Sequence, residues 1–205
     1  VSNEILELKE SIPLETNIRP LGEQIKKNEI ALAKGSILNA AAIGFLAGLG
    51  ITTVSVYRKP SVGILVTGNE LVKPGNALEL GQIYESNAIM LHAALLDSGF
   101  NNCTSYHVDD DFKNTKNSIE KALQENDILL ISGGISAGDY DFVEEALRSL
   151  EVETLFYKVN QKPGKPLLVG KNGDQLIFAL PGNPAASLTC FYIYVKPFLD
   201  QISGI

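Results

Sequence analysis

An alternation of short apolar runs and amphipathic segments, from residue 62 to residue 202, constrains the fold most strongly. The runs are rich in Val, Ile and Leu, which is typical of strands buried on both faces of a sheet. The predicted strands are Val62–Thr67, Cys103–Val108, Ile128–Ile131, Val152–Val159, Leu167–Gly170 and Gln175–Leu180. The predicted helices are Ser86–Asp97 with Ser86 as N-cap, Thr115–Asn126, Phe142–Leu150 and Pro184–Ile202.

Strands that alternate with helices predict an α/β fold, with a doubly wound, mostly parallel sheet and helices on both faces. Asn172-Gly173 lies between two predicted strands and indicates a hairpin. We expect this sheet domain to cover residues 58–205 and to bind its ligand outside the carboxyl ends of the strands.

The residues before this alternation have a different pattern. Residues 1–18 are irregular and predict the remnant of a preceding domain. Residues 19–57 predict a partial linking domain, with a helix over Leu38–Leu49 that ends at Gly50 and a strand over Thr52–Tyr57.

Composition excludes several classes of function. A net charge of −7, with only three arginines, argues against nucleic-acid binding, which needs a basic stripe. No apolar stretch is long enough to span a bilayer and no signal peptide opens the chain, so no membrane association is predicted. Cys103 and Cys190 lie far apart in apolar surroundings, which favours free thiols in the cytoplasm over a disulfide or a ligand pair. Because the chain opens with Val1 and its only methionine is Met90, we expect it to be part of a longer protein.

The segment after Asp127 carries the strongest signal for a ligand site. Its apolar run stops at Ser132-Gly133-Gly134, and Ser136 and Gly138 follow before Asp141 and a predicted helix. A glycine turn that opens a helix leaves backbone N–H groups free for an anion, and glycine lets the main chain approach a phosphate closely. The segment therefore predicts a pocket for a phosphate ester with a divalent metal, with an ordinary strand–helix turn as the alternative.

Unusual side chains follow five of the predicted strands, and a parallel sheet would gather them at one edge. They are Gly68-Asn69-Glu70, Asp109-Asp110-Asp111, Ser132-Gly133-Gly134, the segment from Gln161 to Pro166, and Pro181-Gly182-Asn183-Pro184. A solvent-facing surface would show scattered lysine and glutamate instead. We expect acids and a pair of lysines to surround a single doubly charged guest at this edge.

Acidic side chains at three of these places are candidates for catalysis. Glu70 is predicted as a catalytic carboxylate, with a helix-capping acid as the alternative. Asp109 and Asp141 are the predicted catalytic and metal-binding pair, although the acids at 109–111 could equally begin the next helix. Mg²⁺ is the predicted cofactor, because it takes one or two carboxylates and otherwise keeps water and substrate phosphate.

Lys162 and Lys165 are predicted to bind an anion. Pro163 and Pro166 stiffen their loop, and two ammonium groups held close together repel each other unless an anion lies between them. Solvated surface lysines are the alternative. The turn Pro181-Gly182-Asn183 before the last helix is predicted to be a second anion site.

With these motifs in order, the chain resembles the molybdenum insertases, the family of the bacterial molybdopterin molybdenumtransferases and of the E domain of gephyrin. The likeness runs from about residue 19 onward, and six segments in the same order make it specific. They are Arg19 to Glu23, Thr67 to Leu71, Gly81 to Asn87, Ser132 to Gly138 with Asp141, Lys162 to Pro166, and Leu180 to Pro184.

The resemblance implies that molybdate enters the dithiolene of adenylylated molybdopterin, that the pyrophosphate link is hydrolysed with a divalent metal, and that AMP leaves. It also implies a homodimer with further domains on either side of this segment. The site residues that it implies are the metal-associated Asp109 and Asp141, the carboxylate Glu70, the phosphate contact Ser136, and Lys162, Lys165 and Pro166 around molybdate.

Three positions depart from the family's usual pattern. Val108 stands where arginine is frequent, Ala186 where serine is, and Glu85 where aspartate is. Two rival functions stay open: a molybdopterin adenylyltransferase, which shares the sheet domain, and a non-catalytic scaffold of the same fold. The paired-lysine loop and the segment Arg19–Tyr57 favour the insertase.

Overall fold

The computed structural model describes residues 8–135 and 142–204, and the chain divides into two compact units, residues 1–54 and 55–205. The first unit contains helix α1 (Ala40–Gly48), as predicted. Asn39 begins this helix, because its Oδ1 accepts a hydrogen bond from Ala42 N at 2.9 Å. Gly50, with a φ of +76°, follows the end of the helix.

The strand predicted over Thr52–Tyr57 is wrong. Residues 51–61 contain no regular secondary structure, and the division between the two units falls inside the segment. Its β-branched residues favour extended backbone, but a strand also needs a neighbour that accepts and donates its ladder hydrogen bonds. No other described segment pairs with it.

The second unit is built on a six-stranded sheet, with a separate two-stranded ribbon. Its strands are β1 (Val62–Thr67), β2 (Leu71–Val72), β3 (Ile83–Tyr84), β4 (Cys103–Val108), β5 (Ile128–Ser132), β6 (Glu153–Tyr157), β7 (Leu168–Asn172) and β8 (Gln175–Leu180). Its helices are α2 (Asn87–Asp97), α3 (Phe112–Glu125), α4 (Phe142–Ser149), α5 (Pro184–Cys190) and α6 (Lys196–Ile202), with a π-helical turn at Phe191–Val195.

The sheet order is β4-β1-β5-β8-β7-β6. The first four of these strands are parallel, whereas β7 runs antiparallel to both β8 and β6. The doubly wound, mostly parallel α/β fold is therefore confirmed. The hairpin is confirmed as well, since Asn172 pairs with Gln175 across the β7–β8 turn.

The sheet is covered on both faces, which explains why its central strands are apolar throughout. Alternate residues of β5 enter two separate cores, Ile128 and Leu130 on one face and Leu129 and Ile131 on the other. Helices α2, α5 and α6 contribute to the first core, and α3 and α4 to the second. Among the described residues, no helix has both the length and the apolar character needed to cross a bilayer.

The last predicted helix is present but is not regular. The chain forms α5, widens into the π turn Phe191–Val195, and continues as α6. Pro197 lies in the first turn of α6. Proline has no N–H for the i−4 carbonyl and its ring crowds that carbonyl, so a wider turn directly before it relieves the clash.

The start of the second unit is held by a buttressed ion pair at the amino end of β5. Arg58 donates from both Nη atoms to Asp127, each at 2.8 Å, and the same carboxylate accepts from Ser61 N at 2.7 Å and Ser61 Oγ at 2.8 Å. The hydrogen bond from Arg58 is the main reason that the pKa of Asp127 lies well below its usual range. Arg58 therefore belongs to the sheet domain.

This ion pair predicts acid sensitivity. The pKa of Asp127 is lower in the folded state than in the unfolded state, where it is about 3.9. Its stabilisation is therefore present above about pH 4 and is lost as the pH falls below that value. We expect Asp127→Asn to lower the free energy of unfolding at pH 7 by roughly 1 kcal/mol. Urea titrations at pH 7 and pH 3 should show the variant losing less stability on acidification than the parent chain, and equal losses would contradict this account.

Candidate functional site

The loops with unusual side chains do share one edge of the sheet, which we call the carboxyl edge. Thr67 pairs with Val108, Val66 with Ser132, and Ser132 with Leu180, so β1, β4, β5 and β8 all end there. The loop after β6 reaches the same edge, because β6 and β8 are both antiparallel to β7. The predicted gathering of five loops is confirmed.

The predicted site residues are spread across the width of the sheet. Asp109 follows β4 at one end of the sheet, whereas Lys162 and Lys165 follow β6 at the other. Five inter-strand steps of roughly 4.8 Å separate these strands, about 24 Å in all. This spread suits an extended ligand with charge at more than one point, and the single doubly charged guest stays a prediction.

The three aspartates after β4 have different roles. Asp111 begins α3, since its Oδ1 accepts from Asn114 N at 2.9 Å. This cap explains why α3 starts at Phe112, before the predicted Thr115. Asp109 makes no side-chain hydrogen bond or ion pair with any described residue, and it is exposed. It is therefore the aspartate available to a ligand or metal.

Asp110 joins the loops that follow β1 and β4. Its carboxylate accepts from Thr67 Oγ1 at 2.5 Å and from Asn69 N at 3.3 Å, and its own N–H donates to Asn69 Oδ1 at 2.9 Å. This reciprocal pairing fixes the backbone beside Asp109 and so positions that carboxylate.

A cavity of about 360 Å³ opens beside Asp109, between the ends of β1 and β4 and the start of α3. Its apolar lining comes from Val66, Leu71 and Val108, and its polar lining from His107, Asp109, Asn114, Asn117 and Ser118. Val108, one of the departures from the family pattern, thus faces space in which a larger side chain would lie. The mixed lining can contact both the rings and the polar groups of a ligand.

Glu70 lies beside this cavity. It directly precedes β2, and its carbonyl accepts from Ile83 N at 2.8 Å. Its Oε2 lies 2.8 Å from where a Cβ on Gly68 would stand, so glycine makes room for the carboxylate. No helix begins at Glu70, so the helix-capping alternative is wrong; its catalytic role stays a prediction.

Gly133 and Gly134 are required by the turn after β5. Both have positive φ, +97° and +66°. A Cβ on Gly133 would lie 2.6 Å from the carbonyl oxygen of Thr67, and one on Gly134 would lie 2.5 Å from Val143 Cγ2. Ser132 itself is 2% exposed. The predicted site residues Ser136, Gly138 and Asp141 lie outside the described residues.

We expect Gly133→Ala to lower the free energy of unfolding by about 1–3 kcal/mol, because the methyl group meets backbone that cannot move away and φ is unfavourable. Gly173→Ala is the matched control, since Gly173 also has a positive φ, +59°, but open space around it. Thermal denaturation should show the larger loss for Gly133→Ala. Equal losses would mean that the contact with Thr67 does not matter.

Lys162 and Lys165 are exposed, and neither ammonium group is paired with a described residue. Their loop folds onto the last helical segment: the thiol of Cys190 donates to Gly164 O at 3.7 Å, and Tyr194 Oη donates to Gln161 Oε1 at 2.9 Å. The loop is thus held by contacts that leave both lysines free for an anion. Pro166, also predicted to bind the cofactor, is half-buried in this loop.

Part of the turn Pro181-Gly182-Asn183 is used for contacts within the fold. Asn183 begins α5, because its Oδ1 accepts from Ala186 N at 3.2 Å, and Pro181 is buried. A Cβ on Gly182 would lie 3.7 Å from Gly133 Cα, so this turn and the turn after β5 are in contact. Their role in binding an anion stays a prediction.

Two further residues were not predicted as site residues, because in the sequence they resemble the start of a helix; Glu85 was noted there only as a departure from the family pattern. Glu85, 3% exposed, accepts from Ala88 N at 2.7 Å and so caps α2, whereas the predicted N-cap Ser86 makes no side-chain cap bond. Asn87 donates from Nδ2 to Ser132 Oγ and to Gly182 O, each at 2.8 Å. Their only sequence signal was the matched segment from Gly81 to Asn87.

The geometry agrees with comparisons to known proteins. A family model described as the probable molybdopterin binding domain matches residues 63–201. The chain belongs to this family. The matched residues contain the whole six-stranded sheet apart from Val62.

Members of this molybdopterin-binding family that are similar to the chain include two bacterial enzymes. The molybdopterin molybdenumtransferase of Staphylococcus epidermidis is 40% identical over 191 residues, which are 92% of this chain and 45% of that protein. The enzyme of the same name from Bacillus subtilis is 34% identical over 195 residues, 95% of this chain and 45% of that protein. The chain therefore spans about half the length of these curated relatives.

A solved structure has a closely similar fold. The molybdopterin biosynthesis MoeA protein of Pyrococcus horikoshii superimposes with a TM-score of 0.75 at 34% identity, over 89% of this chain and 45% of that one. The family resemblance inferred from the sequence motifs is confirmed.

Proposed function

We propose that this chain is the substrate-binding part of a molybdopterin molybdenumtransferase, which acts in molybdenum cofactor biosynthesis. In the proposed reaction, molybdate enters the dithiolene of adenylylated molybdopterin: the two dithiolene sulfurs form bonds to molybdenum, and one molybdate oxygen leaves as water with the two thiol protons. A second water molecule hydrolyses the pyrophosphate link, which gives AMP and a molybdenum-loaded pterin that keeps its own phosphate group. The observation that carries the proposal is the carboxyl edge, where the carboxylate of Asp109 and the ammonium groups of Lys162 and Lys165 have no partner among the described residues.

An adenylylated pterin suits this edge by its shape and charge. It is extended, and its pyrophosphate and dithiolene are separate polar points that would lie at different places along the edge. The turn after β5 lies at the centre of the edge, where Gly133 and Gly134 let the backbone approach a phosphate group. The cavity beside Asp109 and the lysine loop would then receive the two ends of the substrate.

The residues present fit Mg²⁺. Across residues 8–135 and 142–204, no three or more His, Cys, Asp or Glu side chains form a metal-binding group. Mg²⁺ needs only one or two carboxylates, with water and substrate phosphate completing its shell, and Asp109 supplies one, with Asp141 as the proposed second. When bound, the ion would neutralise charge on the pyrophosphate. Asp110 and Asn69 would keep Asp109 in place.

Glu70 and the lysines have separate proposed roles. Glu70, beside the cavity, orders the substrate or the attacking water. Lys162 and Lys165, with Pro166, receive molybdate, because fixed cations attract a doubly charged oxyanion in an otherwise acidic protein. Neither role needs a covalent intermediate, so positioning and charge neutralisation would account for the catalysis.

We also propose that the full-length protein is a cytoplasmic homodimer. Cys103 and Cys190 are free thiols, as expected in a reducing compartment. The dimer is an inference from the family resemblance, and light scattering on the full-length protein tests it.

The test of the proposed function is AMP release. Full-length protein, adenylylated molybdopterin, molybdate and Mg²⁺ should yield AMP, with release dependent on molybdate. Incubation with ATP and unmodified molybdopterin should yield no adenylate; adenylate formation would instead favour an adenylyltransferase. Absence of both reactions would favour a scaffold. The 40% identity to a molybdopterin molybdenumtransferase over 92% of the chain supports the first outcome.

A further inference from the structure

Asn87 connects the two turns at the centre of the carboxyl edge. It is the first residue of α2, and its side chain reaches the ends of β5 and β8. The Nδ2 atom donates one hydrogen bond to Ser132 Oγ and one to Gly182 O, each at 2.8 Å. Both N–H groups of the amide are therefore used.

These bonds determine the polarity of the whole cluster. A carbonyl oxygen can only accept, so the bond to Gly182 O fixes which end of the amide carries nitrogen. Ser132 Oγ in turn accepts from Asn87, so the single hydroxyl proton of Ser132 must be directed elsewhere. No described residue accepts that proton.

The same amide leaves an acceptor unpaired. Asn87 Oδ1 is buried, and no described residue donates to it. Because that oxygen is inaccessible, it cannot accept a hydrogen bond from a ligand. The group that the cluster can offer to a ligand is therefore the hydroxyl donor of Ser132.

We propose that Asn87 is a positioning residue of the substrate site. It directs the Ser132 hydroxyl as a donor toward the bound molybdopterin and holds the turns at 132–134 and 181–183 together. This inference rests on the proposed function and adds to it the residue that orients the Ser132 donor.

Asn87→Asp tests the inference with little change of shape. A carboxylate cannot donate to Gly182 O, and it accepts the Ser132 proton, which then is no longer available to a ligand. We expect the affinity of the chain for adenylylated molybdopterin, measured by calorimetry, to fall roughly 10- to 100-fold. Ser132→Ala should produce a similar loss. Asn101→Asp, an exposed change at the opposite edge of the sheet, is the matched control and should leave affinity unchanged.

The double variant separates positioning from general damage. If Asn87 acts through Ser132, adding Ser132→Ala to Asn87→Asp should cost little more than either change alone. If the fold-loss of affinity in the double variant equals the product of the two single fold-losses, the inference is wrong. In the full-length protein, Asn87→Asp should raise KM while kcat changes less than about 3-fold, since the contact is made in the ground state and the transition state alike.

The outcomes are distinguishable from failure of the proposed function. If the parent chain binds and Asn87→Asp binds equally well, the inference is wrong and the proposed function stands. If the parent chain does not bind adenylylated molybdopterin, both are wrong. Should Asn87→Asp fail to fold, as judged by circular dichroism, Ser132→Ala alone decides, and a loss below about 3-fold would overturn the inference.

Discussion

Asp109→Asn is expected to slow AMP release by the full-length protein about 100-fold or more at saturating molybdate. Asp109 is the one aspartate of the 109–111 run whose carboxylate has no bond within the described residues. The substitution would remove the carboxylate proposed to bind Mg²⁺ at the pyrophosphate. It would leave intact the helix cap made by Asp111 and the hydrogen bonds made by Asp110. Quenched-flow or steady-state measurement of AMP measures the effect.

The controls for Asp109→Asn distinguish chemistry from stability. Asp174→Asn changes an exposed aspartate in the β7–β8 turn, at the opposite edge of the sheet, and should release AMP at the parent rate. Extra Mg²⁺ should restore part of the lost rate if Asp109 helps to bind the ion. An unchanged rate for Asp109→Asn would remove Asp109 from the site.

Changing Lys162 and Lys165 to Ala together is expected to raise the molybdate concentration for half-maximal AMP release by roughly 100-fold. Neither ammonium group is paired with a described residue, and the loop is held by Gln161, Gly164 and the Lys165 carbonyl rather than by the lysine side chains. Removing the two lysine side chains should therefore lower the positive charge of the loop without lowering the stability of the fold. Titration of molybdate at fixed adenylylated molybdopterin measures the shift.

This double variant has a signature different from that of Asp109→Asn. At saturating molybdate its rate of AMP release should approach that of the parent protein, because the pyrophosphate end of the site is intact. Lys121→Ala, an exposed lysine on α3, serves as the matched control. If the molybdate requirement stays the same after both lysines are removed, the loop is a solvated surface and the molybdate site lies elsewhere.

Local sequence patterns predicted most of the helices and strands but not which strands pair with each other. The runs Val62–Thr67 and Cys103–Val108 match β1 and β4 residue for residue. Every residue of β1 is buried, which leaves a continuous apolar signal, whereas β4 is a partly exposed edge strand. The strand expected at Thr52–Tyr57 has the same local preference but lacks a pairing partner. The ribbon of β2 and β3 was missed because two residues per strand give no periodicity.

The sequence predicted which residues belong to the site but not how they are spread along the sheet. That Asp109, Ser132 and Lys165 share an edge follows from parallel strands. That Asp109 and Lys165 stand at opposite ends of it follows from the strand order, in which β4 and β6 are the outermost strands. Strand order depends on contacts between residues far apart in the chain, so the spread of these residues along the edge required the structure.

The role of Asn87 was hidden for a similar reason. In the sequence it is one of several polar residues before a helix, where asparagine is common. Its two partners, Ser132 and Gly182, are 45 and 95 residues away.

Amide hydrogen exchange with and without adenylylated molybdopterin would show whether the ligand lies along the carboxyl edge. We expect bound ligand to slow exchange in residues 68–70, 109–111, 132–135 and 161–165, and to leave residues 58–61 and 172–175 at the opposite edge unchanged. Protection at the opposite edge, or in only one of the carboxyl-edge loops, would mean that the substrate does not bind along this edge.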